Sequence, residues 1–222
     1  MAKTLTACCL LLALTAAALY LRGRKSGAAA LPEPATAIPA APPRPAESAP
    51  ERSALRARLH AQGLSGQVYA AAHGLSTRIA FLVDMSRHSG RRRFFIYDLR
   101  ADSILSAGLV AHGSCNTDGL ADAAFGNEPG CGCTSLGRYK VGYAYRGRFG
   151  TAFKLYGLDP GNSNAFRRYV VLHAYDCVPD EERYPVNICN SLGCPMVSYP
   201  FLDTATTYIR REKKPILLWI YK

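Results

Sequence analysis

Tyr169-Val170-Val171-Leu172-His173 is a short run of β-branched and bulky residues closed by a histidine, and Ser191-Leu192-Gly193-Cys194 follows after seventeen intervening residues. The first stretch reads as a strand and the second as a glycine turn carrying a thiol. Segments of similar composition lie at 79–84, 93–99, 104–112, 138–145, 152–158, 196–199 and 216–221, each bounded by Gly, Pro, Asn or Asp. With 168–173 they predict a mainly β domain of largely antiparallel strands. A few short helices are expected beside it. Residues 53–62 carry Leu55 and Leu59 at i,i+4 and stop at Gly63, 66–72 can be capped by Ser65, and 203–211 can be capped by Asp203 with Pro215 at its exit.

A histidine and a cysteine in this arrangement suggest nucleophilic catalysis. A thiol attacks a carbonyl as thiolate, so it needs an imidazole to take its proton and backbone N–H groups to receive the oxyanion. His173 offers the base, Cys194 the nucleophile, and the backbone around Gly193 the turn. A framework of disulfides is the competing reading, because Cys115, Cys131, Cys133, Cys177, Cys189 and Cys194 make an even set in an exported domain. Zinc would be a third use, with His173, Cys177, Cys189 and Cys194 as conceivable ligands. No Cys-x-x-Cys pair supports it, and no metal or other cofactor is expected.

The chain of 222 residues is 49% hydrophobic, enough for one substantial core. Its formal net charge of +11 favours anionic surfaces such as cell-wall polymers, lipid headgroups or nucleic acid. Nucleic acid is disfavoured, since no zinc-finger spacing, basic heptad helix or aromatic RNA-binding signature is present. Eighteen uncharged residues, 4–21, lie between Lys3 and Arg22 and mark 1–26 as a signal peptide or signal anchor, so membrane anchoring is possible. Arg22, Arg24 and Lys25 follow that stretch, a bias opposed to export under the positive-inside rule. The Ala/Pro-rich stretch 27–50 cannot bury a core and reads as a disordered, extended spacer, leaving 51–222 as the folded domain.

From about Leu64 to the C-terminus the sequence resembles the L,D-transpeptidase (YkuD-like) family, in particular its murein L,D-transpeptidase catalytic branch. The resemblance rests on His173, Ser191, Gly193 and Cys194 in the family's order and spacing. It extends to Ile79-Ala80-Phe81-Leu82-Val83-Asp84, Arg93-Phe94-Phe95-Ile96-Tyr97-Asp98-Leu99, Val110-Ala111-His112-Gly113, Ser135-Leu136-Gly137 and Lys154-Leu155-Tyr156-Gly157-Leu158. Leu192 stands where many members have a second histidine.

The resemblance implies a β-sandwich or barrel-like domain acting on peptidoglycan stem peptides in the bacterial cell envelope, in the periplasm or on the outer face of the cytoplasmic membrane, as a monomer. It implies a Cys194 thioester with a tetrapeptide donor, release of D-alanine, and transfer to an amine that closes a 3-3 crosslink. It also implies His173 as base and acid, its ring oriented by the Ala174 carbonyl, and oxyanion donors around Gly193 and Cys194. Hydrolysis by the same dyad, as an L,D-carboxypeptidase or endopeptidase, is one alternative. A non-catalytic wall-binding module with Cys194 in a disulfide is another.

Substrate contacts are less defined. Arg168 aligns with an arginine of the branch, whereas strand alternation puts Arg167 on the face of His173. Ser191, His112 and Tyr143, the last in a row with Tyr139 and Tyr145, complete the candidates. His60, His73 and His88 read as surface residues without partners. With Cys194 free, Cys177–Cys189 is the preferred bridge, and Cys115 could pair with Cys131 or Cys133.

Overall fold

The computed structural model describes residues 46–120 and 123–222. The expected apolar segment and spacer residues 27–45 lie outside the described residues. Eight strands are present: β1 (Ile79–Asp84), β2 (Phe94–Asp98), β3 (Ser103–Gly108), β4 (Gly137–Gly147), β5 (Gly150–Gly157), β6 (Val171–Ala174), β7 (Met196–Val197) and β8 (Leu217–Tyr221). They form one sheet in the order β3-β2-β1-β8-β4-β5-β6-β7. Only β1–β8 and β6–β7 pair in parallel. Just beyond β3, the Ala111 amide donates to the Met196 carbonyl at 2.8 Å, so the chain leaving one end of the strand order reaches the other end. The sheet thus curls back on itself in a barrel-like manner.

Both faces of β1 are buried. Ile79, Phe81 and Val83 enter the main core with Phe94, Ile96, Phe153, Leu155 and Leu172, while Ala80 and Leu82 join Phe95, Tyr97 and Leu217 in a second core. Strand residues alternate between faces, so a doubly covered strand reads as an unbroken apolar run.

Helix α1 (Ala49–Ala72) brings Leu55 and Leu59 into the second core. It is one 24-residue helix, not the two expected, and it starts at a Ser48/Glu51 capping box with a proline in its first turn. Gly63 serves close packing rather than termination: a Cβ there would meet the Tyr97 ring at 2.9 Å. Helix α2 (Tyr199–Arg211) is capped by Ser198, five residues before the expected cap Asp203, and sends Phe201, Leu202 and Ala205 into the main core. Asp203 sits inside it and does not cap it. No helix among the described residues is long and apolar enough to cross a membrane.

Candidate active site

His173 lies on β6 between Ala152 of β5 and Met196 of β7, and is buried. Its Nδ1 is 3.0 Å from the Ala174 carbonyl oxygen. A carbonyl only accepts, so Nδ1 carries the proton and Nε2 keeps its lone pair. Burial pulls the imidazole pKa below its ordinary 6.5 and outweighs the opposing pull of the Ala174 carbonyl, leaving the ring neutral at pH 7. Phe149, at the tip of the β4–β5 hairpin, stacks on the imidazole with centroids 5.2 Å apart and meets Tyr175 edge-on.

Cys194 is a free, partly buried thiol. Its Sγ donates weakly to the Tyr169 carbonyl at 3.8 Å. Burial pushes the thiol pKa up, against smaller lowering effects from the Val171 backbone and the Arg168 charge. The backbone of Val171, on the strand that carries His173, reaches the thiol. Among the described residues no hydrogen bond joins the sulfur to the ring. The two groups rest as a neutral thiol and a neutral imidazole, with the sulfur turned toward Tyr169.

The turn holding the thiol depends on Gly193, at φ +114°. A Cβ there would lie 2.6 Å from the Cys133 carbonyl oxygen and 3.1 Å from Arg168 Nη2, so both conformation and space require glycine. The Gly193 amide donates to Ser191 Oγ at 3.0 Å, and the Ser191 amide donates to the His112 carbonyl at 2.7 Å. Leu192, at the position of the family's second histidine, points outward and is 79% exposed.

Arg168 is positioned by a feature that alternation cannot register. Strand β6 starts at Val171 rather than 168, and Tyr169 adopts φ +57°, which reverses the chain before the strand. Arg168 therefore turns inward and donates to Cys133 O (2.6 Å), Ser135 Oγ (2.6 Å) and Gly126 O (3.1 Å), while Arg167 is exposed. Its guanidinium clamps the 126–135 segment against the nucleophile turn. Arg168→Met should lower unfolding stability by about 2–4 kcal/mol, since three acceptors lose a charged donor. Chemical denaturation measures it, and a loss below about 0.5 kcal/mol would contradict the clamp.

The remaining predicted residues divide. His112 is buried and its Nδ1 accepts from Arg93 Nη2 at 2.9 Å; Arg93 is itself buried, which pulls its pKa down to about 10. Tyr143 is not brought to the thiol. A register shift between Val141 and Ala144 breaks the expected tyrosine row, and Tyr143 lines a hollow with Ile209 and Pro215 while Tyr139 is buried. Cys177–Cys189 and Cys115–Cys133 are bridged, and Cys131 is free. Two of the conceivable zinc ligands, Cys177 and Cys189, are thus joined to each other.

The three surface histidines do have partners. His60 Nδ1 lies 2.6 Å from Asp102, His73 stacks on Tyr69, and His88 accepts from the Gly90 amide. His60 also borders a hollow of about 760 Å³ beside Tyr97 and Asp102, lined by neither Cys194 nor His173. Sequence reasoning missed Phe149 and Tyr169. The aromatic flanked by Gly147 and Gly150 was the available signal for Phe149; nothing local announces the Tyr169 backbone.

A search of curated proteins gave no match. Among solved structures the chain is similar to the helical cell shape determining protein Pgp2 (K307A mutant) from Campylobacter jejuni. The identity is 12%, the TM-score 0.39, and the match covers 74% of this chain and 56% of that one. Residues 51–221 match the family described as L,D-transpeptidase catalytic domain. Over more than three-quarters of its length, then, this chain belongs to the L,D-transpeptidase catalytic domain family.

Proposed function

We propose that this protein is an envelope L,D-transpeptidase that uses Cys194 as nucleophile and His173 as general base and acid. The observation that carries the reading is the pairing of a free thiol on a glycine turn with a buried, neutral histidine whose Nδ1 is committed to the Ala174 carbonyl. Only Nε2 is then left for proton transfer.

The cycle follows from these groups. Rotation of the Cys194 side chain away from the Tyr169 carbonyl brings Sγ toward the imidazole. His173 Nε2 takes the thiol proton as sulfur attacks the carbonyl between the L-centre of a diamino acid and the terminal D-alanine. The Cys194 amide receives the oxyanion, joined by the Gly193 amide once Ser191 Oγ releases it. The imidazolium returns its proton to the departing D-alanine nitrogen, leaving a thioester. An acceptor amine then attacks, Nε2 takes its proton, and collapse regenerates the thiol and closes a 3-3 crosslink. The net charge of +11 suits a substrate rich in carboxylates.

Incubating the purified protein with tetrapeptide-bearing muropeptides tests the reading. Crosslinked dimers are expected together with free D-alanine; tripeptides alone would replace the amine by water and make the enzyme a carboxypeptidase.

A further inference from the structure

Recognition of an anionic stem needs a cation near the thiol, and both arginines raised by the sequence are poorly suited. Arg168 spends its donors on three protein acceptors, and Arg167 is exposed on a turn outside the strand. Lys154 is differently placed. On β5 it pairs with Val171, and its neighbour two residues back, Ala152, pairs with His173. Phe153, Leu155 and Leu172 alternate with these residues and enter the main core, so Lys154 and His173 share the opposite face. Val171, which faces Lys154 across β5–β6, also reaches the Cys194 thiol through its backbone.

The lysine head is held on a ring pedestal. Its Nζ lies 4.7 Å from the Tyr145 centroid, 5.5 Å from Phe166 and 5.6 Å from Tyr169, and Tyr156 stacks on Phe166 at 5.1 Å. Rings hold an ammonium by cation–π attraction without neutralising it. Among the described residues no carboxylate forms a salt bridge with Lys154. Tyr169 links both ends: its 76%-exposed ring meets the lysine, and its carbonyl accepts the thiol. Its backbone is in the left-handed region, costly for an aromatic residue and of the kind that gathers at binding sites.

We propose that Lys154, on the Tyr145/Phe166/Tyr169 pedestal, is a substrate-binding residue that fixes a carboxylate of the acyl donor within about one residue of the bond Cys194 attacks. The role rests on the proposed thioester chemistry. It makes the substrate class a donor with a free carboxylate there, and predicts poor use of donors in which it is amidated.

The test compares two tetrapeptide donors, one with free carboxylates and one with carboxamides, by the second-order rate of adduct formation on the intact protein. Wild type is expected to prefer the free acid by about tenfold or more. Lys154→Met should lose that preference through a raised KM with kcat little changed. Lys154→Arg should recover most of it, and Lys214→Met serves as the charge control. An acid-to-amide ratio unchanged in Lys154→Met, with adducts still forming, would overturn the role of Lys154 alone. No adduct on wild type with either donor would overturn the thioester reading beneath it. Circular dichroism of both Lys154 variants excludes misfolding as the cause of a lost preference.

Discussion

Cys194→Ala is expected to yield a folded protein that forms no acyl adduct and turns over muropeptides at least about 10⁴-fold more slowly than wild type. Removing the sulfur removes the group whose proton His173 takes, and with it the thioester path. The substitution should cost little stability, because the sulfur is partly buried and makes one long contact to Tyr169. A carbapenem, whose strained ring imitates an acyl donor, should add once to wild type and not to Cys194→Ala. Both proteins keep the Cys131 thiol, which makes it an internal control for nonspecific acylation. An adduct of equal yield on the variant would move the nucleophile away from residue 194.

The strands were legible because their signal is local. Most are short apolar or β-branched segments between turn residues, and doubly buried β1 stands out as an unbroken run. The histidine and the cysteine were equally legible, one at the end of a strand and one after a glycine. Long-range geometry hid the rest. Gly63 has the composition of a helix stop, yet α1 runs through it because Tyr97 of β2 lies against it. His60 finds Asp102 across 42 residues. Arg168 was misplaced by alternation because the left-handed Tyr169 interrupts the strand; a periodicity of two cannot register a reversal fixed by tertiary contacts. Choosing Cys133 rather than Cys131 as the partner of Cys115 likewise required the fold.

The electrostatics of the resting site set the second large effect, on His173→Gln. Burial moves the two partners in opposite senses, the thiol up and the imidazole down, so both are neutral near pH 7. A preformed thiolate–imidazolium pair would show the reverse shifts. Iodoacetamide should therefore alkylate Cys194 slowly at pH 7, its rate climbing only above the range of an ordinary thiol. His173→Gln should leave that profile nearly unchanged, because no hydrogen bond joins ring and sulfur at rest.

Acylation by a peptide donor should nevertheless fall about 10²–10⁴-fold, because proton transfer is needed as the thiol attacks. In wild type the acid limb of kcat/KM should lie below pH 6.5, since the depressed histidine stays a base until the pH falls through its folded pKa. Linkage has the same sign: the histidine's contribution to stability is present above 6.5 and is lost as the pH drops through the lower folded value. NMR titration of the His173 ring, with and without Phe149→Ala, measures that pKa directly, and removing the stacked ring should raise it by admitting water. An imidazole titrating above 6.5 together with a fast-alkylating thiol at pH 6 would mean the site rests as an ion pair, and the acid limb would then report the thiolate rather than the base.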